Sequence, residues 1–294
     1  MHAHSPRKHT LFRFSIRLLV LLAAFSALVV YHQEWLLFPY ARFRPDISAE
    51  QQAFPPDADG ESWFRFDAHD HAQLEVWRKA GAAAGPLKNY AVLFFRGNGG
   101  PLESFRPFQK LFTELGANTY LWNYRAYGRS SGALTEAAML EDSANLGAEV
   151  LRREAITPQH LILVGYSIGT GFAAYAATVH HPALLVLFAP YSSIPDAAFA
   201  QPLAGYFYRI LAPFLRWNAP SKDFVSQLHK TALLLIHGGK DSLLPISGSL
   251  TIEKHYSGSY LRTIYPPQAD HNNLLFVSEE QIRKELLAWS QRAN

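Results

Sequence analysis

The sequence predicts an α/β protein with a mostly parallel, doubly wound sheet and helices on both faces. From about residue 61 onwards, short apolar runs alternate with longer stretches of helical periodicity. Most of the short runs are apolar at both alternating positions, as is typical of strands that helices cover on two sides. The chain has 294 residues, of which 49% are hydrophobic and 17% charged, and this composition excludes a disordered chain.

The predicted sheet begins with a hairpin, because residues 63–66 and 73–77 alternate apolar and polar side chains around a polar turn. Six further strands are then expected at residues 90–95, 119–122, 161–164, 184–188, 232–236 and 261–265. Helical periodicity lies between them at residues 134–154, 170–179, 246–255 and 279–291. The alternation of strands and helices predicts a mostly parallel sheet that follows an antiparallel entrance, namely the initial hairpin.

A basic tail and an apolar segment precede this body. Residues 1–33 contain no acidic residue and four basic ones, at Arg7, Lys8, Arg13 and Arg17. We expect residues 1–17 to form a cytoplasmic tail and residues 18–38 a signal-anchor transmembrane helix, with residues 39–294 exported as the globular domain. The alternative is a cleaved signal peptide and a secreted protein, although Ala24-Phe25-Ser26 matches a cleavage site only weakly.

The net charge of +3 comes from the tail, since the remaining 23 basic and 24 acidic side chains nearly balance. A basic surface that follows nucleic-acid phosphates is therefore not expected. The sequence contains no Cys, which excludes disulfides, thiolate metal sites and a cysteine nucleophile. Residues 194–225 are too long for a simple connection and are rich in aromatic residues, so they form either a small lid over a pocket or an ordinary covering helix.

The strongest chemical signal is Gly165-Tyr166-Ser167-Ile168-Gly169, between a predicted strand and a predicted helix. A serine that projects above a sheet needs a sharp turn with small residues on both sides, and Gly165 and Gly169 supply them. A serine nucleophile also needs a base and an acid that orients the base. His271 follows the last strand and Asp241 the one before it, which gives the order Ser, Asp, His.

Rival assignments exist for the acid and for the histidine. Asp196 is an alternative acid after the strand at 184–188, and His237 is expected to pack behind the active site and shape the Asp241 loop. For the oxyanion of a tetrahedral intermediate we expect the backbone N–H groups of Ile168 and Asn98. The Gly-rich loop around Asn98 lacks the third glycine of a nucleotide-binding motif.

Together these residues resemble the α/β-hydrolase superfamily, and within it the membrane-anchored hydrolase-domain proteins related to serine aminopeptidases and dienelactone hydrolases. The motifs that carry the resemblance are Leu-Phe-Pro at 37–39, Phe-Arg-Gly-Asn-Gly-Gly at 95–100, Asn-Tyr-Arg-Ala-Tyr-Gly-Arg-Ser-Ser-Gly at 123–132, the serine turn at 165–169, His-Gly-Gly-Lys-Asp at 237–241 and Asp-His-Asn at 270–272. The resemblance implies a serine hydrolase with Ser167, Asp241 and His271 as its catalytic triad. Two departures stand out: Arg96 replaces the more common His and is expected to add positive charge near the acyl pocket, and Asp270 replaces Gly and is expected to change how His271 is held.

The sequence thus predicts a membrane-anchored esterase or thioesterase that forms an acyl-serine and needs no metal or organic cofactor. Its expected partners are a small-molecule or lipid-like acyl substrate and the membrane, through residues 18–38. The alternatives are an aminopeptidase-like serine peptidase and a hydrolase-fold scaffold without turnover.

Overall fold

The computed structural model of the protein describes residues 6–42, 60–202 and 204–293. Residues 1–5 of the predicted tail and residues 43–59, at the start of the predicted globular domain, lie outside the described residues.

A single sheet of eight strands runs through the described body. The strands are β1 Glu61–Asp67, β2 Gln73–Lys79, β3 Ala91–Phe95, β4 Asn118–Trp122, β5 Leu161–Tyr166, β6 Leu184–Phe188, β7 Ala232–Ile236 and β8 Leu261–Ile264. Their order in the sheet is β1-β2-β4-β3-β5-β6-β7-β8. Among these strands only the pairs β1–β2 and β2–β4 are antiparallel, and the other five pairs are parallel, so the prediction of a mostly parallel sheet with an antiparallel entrance is confirmed.

The described helices cover both faces of the sheet. They are α1 Pro6–Tyr31, α2 Gln33–Leu37, α3 Pro39–Arg42, α4 Arg106–Glu114, α5 Glu136–Glu154, α6 Gly169–His180, α7 Ile194–Phe199, α8 Ala204–Leu211, α9 Ser221–Val225, α10 Ser247–His255 and α11 Leu274–Ala293. Short 3₁₀ helices lie at Leu102–Phe105, Pro158–His160 and Ala212–Phe214. Strands β3, β5, β6 and β7 are almost entirely buried because apolar layers lie on both sides.

Two helices differ from their predictions. The last helix begins at Leu274 rather than residue 279, because Leu274 and Leu275 already pack into the core in its first turn. Helix α4 was not predicted, although Phe108, Leu111 and Phe112 give it a buried apolar face.

The N-terminal helix also differs from the predicted span of residues 18–38. Helix α1 begins in the basic tail and ends at Tyr31, and its apolar part, Arg13–Tyr31, is long enough to cross a membrane. Beyond it, Gln33 and Phe38 are buried in the globular body. The ring of Phe38 lies 4.9 Å from that of Trp217, and aromatic contacts of this kind hold residues 33–38 on the body. Residues 33–38, which the sequence assigns to the transmembrane segment, therefore pack against the body.

Candidate active site

Ser167 stands on the sharp turn between β5 and α6. Its φ of +55° lies in the left-handed region, which few residues other than glycine adopt. A Cβ at Gly165 would lie 2.6 Å from the Cα of Thr170, and one at Gly169 would lie 2.2 Å from the carbonyl oxygen of Phe95. The two glycines are therefore required by close backbone approach.

The turn brings three distant side chains into one hydrogen-bonded chain. The Nε2 atom of His271 lies 3.1 Å from Oγ of Ser167, and its Nδ1 atom lies 2.7 Å from Oδ2 of Asp241. Ser167 and His271 are almost fully buried, and the carboxylate of Asp241 is inaccessible to solvent. We call these three residues the Ser-His-Asp relay.

The loop after β7 supplies hydrogen bonds that hold Asp241. Its Oδ1 atom accepts the backbone N–H groups of Leu243 and Leu244, at 2.9 and 2.8 Å. Burial on its own would raise the pKa of Asp241, but the hydrogen bonds from His271 and Leu244 outweigh it and leave the pKa below its ordinary value. The carboxylate is therefore ionised at neutral pH and faces Nδ1 of His271.

His237 lies behind Asp241, as expected, and is completely buried. Its Nε2 atom lies 2.8 Å from the carbonyl oxygen of Leu244, and its Nδ1 atom lies 2.7 Å from Oγ of Ser249. A carbonyl oxygen only accepts, so Nε2 carries the proton and Nδ1 accepts from the serine hydroxyl. Burial lowers the pKa of His237, which keeps the imidazole neutral.

Two neighbours position His271. The hydroxyl of Tyr166, next to the nucleophile candidate, donates to the carbonyl oxygen of His271 at 2.9 Å. The carboxylate of Asp270 accepts the N–H groups of Asn272 and Asn273, and this tightens the turn before α11. Asp270 thus acts on the loop that carries His271, whereas the contribution of Tyr166 was not predicted from the sequence.

The loop after β3 lies beside the serine turn and carries Asn98. The hydroxyl of Tyr127 donates to the Asn98 carbonyl at 2.8 Å, and the Asn98 side chain donates to the carbonyl of Leu37 at 2.8 Å. Within the described part of the chain, the backbone N–H groups of Asn98 and Ile168 donate to no other residue. Both residues line the same cavity as Ser167.

Arg96 does not add charge to the acyl pocket, contrary to expectation. Its side chain is 1% exposed, and its guanidinium points into the loop instead of the cavity. It donates to the carbonyl oxygens of Gly97 and Gly99, each at 3.1 Å, and also bonds Gly100 and the side chain of Asn123. Arg96 therefore holds the backbone of the loop that presents Asn98.

An apolar cavity of about 300 Å³ opens above Ser167. Its walls come from the loop after β3, from α2, from the segment 194–225 and from the end of α1. The lining residues include Val29, Leu36, Leu37, Ile194, Ala197, Tyr208, Leu215, Trp217, Leu243 and Leu244. Most of the lining is aliphatic or aromatic, and the segment 194–225 covers the cavity as a lid would.

The rival candidates have other partners. Asp196 pairs with Lys222 at 2.9 Å and accepts from Ser192, so it belongs to the lid rather than to the relay. Among the residues that the structure describes, no group of three His, Asp or Glu side chains is arranged to hold a metal ion.

Sequence reasoning missed the polar residues that fasten the N-terminal helix to the lid. The Gln33 amide donates to the Phe214 carbonyl at 2.8 Å and accepts from the Arg216 N–H at 2.7 Å. The carboxylate of Glu34 pairs with the Arg216 guanidinium at 2.8 Å. The signal was present, since Gln33 and Glu34 are polar residues directly after a long apolar run.

The sheet order, the strand-to-helix serine and the relay together define the architecture of α/β hydrolases. A family model described as alpha/beta hydrolase fold matches residues 90–210. The solved structures similar to this chain include an α/β hydrolase from Vibrio vulnificus, with a TM-score of 0.67, 20% identity, and coverage of 86% of this chain and 91% of that one. An esterase from Pyrococcus furiosus has a TM-score of 0.63 at 16% identity, over 85% of this chain and 96% of that one.

The family model and the solved structures show that the chain has the α/β-hydrolase fold. Among curated proteins it is similar to the uncharacterized protein YfhR of Escherichia coli K12, with 26% identity over 232 residues, which is 76% of this chain and 77% of that protein. It is also similar to human alpha/beta hydrolase domain-containing protein 17B, with 28% identity over 170 residues, which is 57% of this chain and 55% of that protein.

Proposed function

We propose that the protein is a serine hydrolase that cleaves carboxylic ester or thioester bonds through an acyl-serine intermediate. The observation that carries the proposal is the Ser-His-Asp relay at the floor of an apolar cavity. A serine hydroxyl becomes a competent nucleophile when an oriented imidazole takes its proton, and Asp241 fixes the imidazole in the required tautomer.

In the first half-reaction, Oγ of Ser167 attacks the substrate carbonyl carbon while its proton passes to Nε2 of His271. The Nδ1–H group of His271 donates to Asp241, which stabilises the imidazolium. The carbonyl oxygen becomes negatively charged and accepts hydrogen bonds from the N–H groups of Ile168 and Asn98. Loss of one such donor costs about 10² to 10³ in kcat in other serine hydrolases.

The tetrahedral intermediate then collapses. The bond from carbon to the leaving oxygen or sulfur breaks, and His271 returns its proton to the departing alcohol or thiol, leaving Ser167 acylated. In the second half-reaction, His271 takes a proton from water, the hydroxide oxygen adds to the acyl carbon, and the acid leaves as Ser167 regains its proton.

The cavity favours an apolar acyl group. Its lining offers few polar partners to an amide backbone, and a volume of about 300 Å³ lies at the lower end of the range for small-molecule sites. Two of the solved structures that share the fold are esterases, from Pyrococcus furiosus and Exiguobacterium antarcticum, and this is consistent with an ester substrate.

A fluorophosphonate probe tests the nucleophile. We expect the parent to be labelled and Ser167→Ala to remain unlabelled. Ser143→Ala is a matched control, because Ser143 is also buried but lies on α5, and it should be labelled like the parent. A folded parent that takes no label would support the scaffold alternative.

A substrate series then separates the enzyme classes. We expect turnover of 4-nitrophenyl esters and of the matching thioesters, and none of aminoacyl-amide substrates. Faster turnover of the aminoacyl amides than of the esters would establish the peptidase alternative.

We also propose that α1 anchors the protein in a membrane with the N-terminus in the cytoplasm and the hydrolase domain exported. The support is the span Arg13–Tyr31, with a mean hydropathy of 2.2 and no burial against the body in its most apolar window. Protease added to intact cells should digest the hydrolase domain and leave α1 in the membrane. A domain released as a soluble product without α1 would establish signal-peptide cleavage instead.

A further inference from the structure

The lid helix α8 carries an exposed apolar face beside the cavity. Tyr206 and Ile210 lie one helical turn apart on α8 and are 72% and 75% exposed, and Phe214 in the following 3₁₀ helix is 60% exposed. We call these three residues the portal face. Large apolar side chains are usually this exposed in a cluster only where another apolar surface covers them.

The position of α1 shows what that surface is. The ring of Phe207 on α8 lies 5.6 Å from the ring of Phe25 on α1. Phe25 precedes the end of the candidate span at Tyr31 by six residues, which at 1.5 Å per residue is about 9 Å along the helix axis. If α1 crosses a bilayer up to Tyr31, α8 lies at the depth of the headgroup and acyl boundary, where amphipathic helices insert about 5–10 Å.

The lid cannot move away from this position without losing polar contacts. Gln33 and Glu34 fasten the backbone and side chains of residues 214–216 directly after the end of α1. Arg209 lies between the two exposed residues of α8, with its guanidinium 5.7 Å from the Tyr206 ring. An aromatic residue paired with a basic one is typical of the membrane interface.

The helices α1, α2 and α8 all contribute to the cavity lining. Val29 of α1 and Leu36 of α2 form one wall and Tyr208 of α8 another. Leu36 and Leu243 line the cavity and are still about half exposed, so the rim is apolar. An acyl chain that leaves the bilayer beside α1 therefore meets apolar surface all the way to Ser167.

We propose that the portal face is embedded in the lipid bilayer and that the substrate's acyl chain enters the cavity directly from the membrane, between α1 and α8. The substrate class is thus an ester or thioester whose acyl chain is already held in a lipid leaflet. The ester or thioester chemistry of this inference rests on the proposed function. The choice of the lipid bilayer as partner rests on the continuity of the portal face with the candidate membrane span.

The first experiment compares two substrates with the full chain reconstituted in phosphatidylcholine vesicles. Ile210→Ser combined with Phe214→Ser removes apolar side chains that do not line the cavity. We expect turnover of a fluorogenic long-chain ester dissolved in the vesicles to fall about tenfold, while turnover of water-soluble 4-nitrophenyl butyrate stays unchanged. Val179→Ser is the matched control, because Val179 is exposed but lies at the far end of α6, and it should alter neither rate. Equal loss on both substrates, or loss on neither, would overturn the proposal.

The second experiment measures depth and does not depend on catalysis. The chain contains no Cys, so single variants Ile210→Cys and Val179→Cys can be spin-labelled without background. We expect the label at 210 to be accessible to oxygen and protected from a water-soluble nickel chelate, and the label at 179 to show the reverse. A label at 210 that is open to the chelate would refute membrane embedding even in an active enzyme. An embedded label in a protein that hydrolyses neither ester would instead refute the proposed function and leave the membrane contact standing.

Discussion

His237 holds the loop of Asp241 through two hydrogen bonds, and burial lowers its pKa so that the imidazole is neutral. Nε2 donates to the carbonyl oxygen of Leu244 and lies 3.5 Å from Oδ2 of Asp241. Nδ1 accepts from the hydroxyl of Ser249. His237 neither lines the cavity nor bonds to Ser167, so it is a positioning residue. It acts on the reaction only through the carboxylate that orients His271.

We expect His237→Leu to lower the free energy of unfolding by about 2 kcal/mol, because a buried hydroxyl and a buried carbonyl lose their partner. We expect kcat for 4-nitrophenyl butyrate to fall with little change in KM, since Asp241 loses support. His237→Gln keeps a donor for the Leu244 carbonyl and should recover part of both losses. Urea unfolding and initial rates measure these effects, and a Leu variant as stable and active as the parent would show that His237 positions nothing.

The lowered pKa of His237 also predicts a pH dependence of stability. The unfolded chain binds a proton at this residue below about pH 6.5, whereas the folded chain binds it only at lower pH. The free energy of unfolding should therefore fall as the pH drops below about 6.5, by at most about 1.4 kcal/mol per pH unit from this group. His237→Gln removes this contribution. Unfolding measured at both pH 7.5 and pH 5.5 should show a smaller loss in the variant than in the parent, and identical losses would contradict the assignment.

Arg96 is the other residue whose role follows from its partners. It donates to three carbonyl groups of the loop that presents Asn98, and it stacks over the ring of Tyr127 at 4.7 Å. We expect Arg96→Met to reduce kcat about tenfold to hundredfold, approaching the loss that follows removal of an oxyanion donor, because the Asn98 N–H is no longer held in place. Fluorophosphonate labelling should slow in parallel while the Ser-His-Asp relay stays intact. A variant with the kcat of the parent would show that the loop after β3 keeps its conformation without Arg96.

At the scale of the element, the strand-to-helix turn depends on close packing between α6 and the loop after β3. A methyl group at Gly169 would overlap the Phe95 carbonyl, whereas one at Gly99 would meet nothing within 4 Å. We expect Gly169→Ala to lower the free energy of unfolding by about 1–3 kcal/mol or more and to abolish labelling of Ser167. Gly99→Ala is the matched control and should unfold like the parent. Similar behaviour of the two variants would mean that the turn tolerates displacement.

The elements also show which features a sequence can predict. All eight strands were predicted from local signals. The hairpin strands β1 and β2 alternate apolar and polar side chains, whereas the central strands are apolar throughout because helices cover both of their faces. Helix α4 was not predicted, although Phe108, Leu111 and Phe112 have the helical spacing of a buried apolar face. The predicted membrane segment extends to residue 38 because Trp35 and Leu37 suit a membrane, and only tertiary packing shows that Phe38 lies in the core.

The same distinction applies to the candidate site. Ser167, Asp241 and His271 were predicted because each follows a strand at the carboxyl edge of a parallel sheet, where fold topology brings them together. The roles of Tyr166 and Arg96 depend on which backbone carbonyls lie within reach, and no residue spacing encodes that. The expected charge of Arg96 in the pocket was wrong because side-chain direction is set by packing.

At the scale of the whole molecule, residues 33–38 pack with the hydrolase body, whereas we propose that α1 lies in the membrane. Phe38 is fully buried among the rings of Tyr124, Tyr127, Phe172 and Trp217. Any process that removes α1 must therefore cut before Gln33 if the body is to keep its core. A cut after Ser26 meets this condition but also removes Phe25, the contact that sets the depth of the lid.

Two truncations test this division. We expect a chain lacking residues 1–26 to fold with nearly the stability of the full chain, because every residue from Gln33 to Phe38 remains. A chain lacking residues 1–39 loses Phe38, and its free energy of unfolding should fall by about 3–5 kcal/mol, the usual cost of removing a buried aromatic side chain. Urea unfolding in detergent measures the stability of both chains. The substitution Phe38→Ala in the chain that lacks residues 1–26 should reproduce most of the loss. Equal stability of the two truncated chains would show that residues 33–38 only rest on the surface. The contacts between these residues and the lid would then no longer support the proposed position of the portal face.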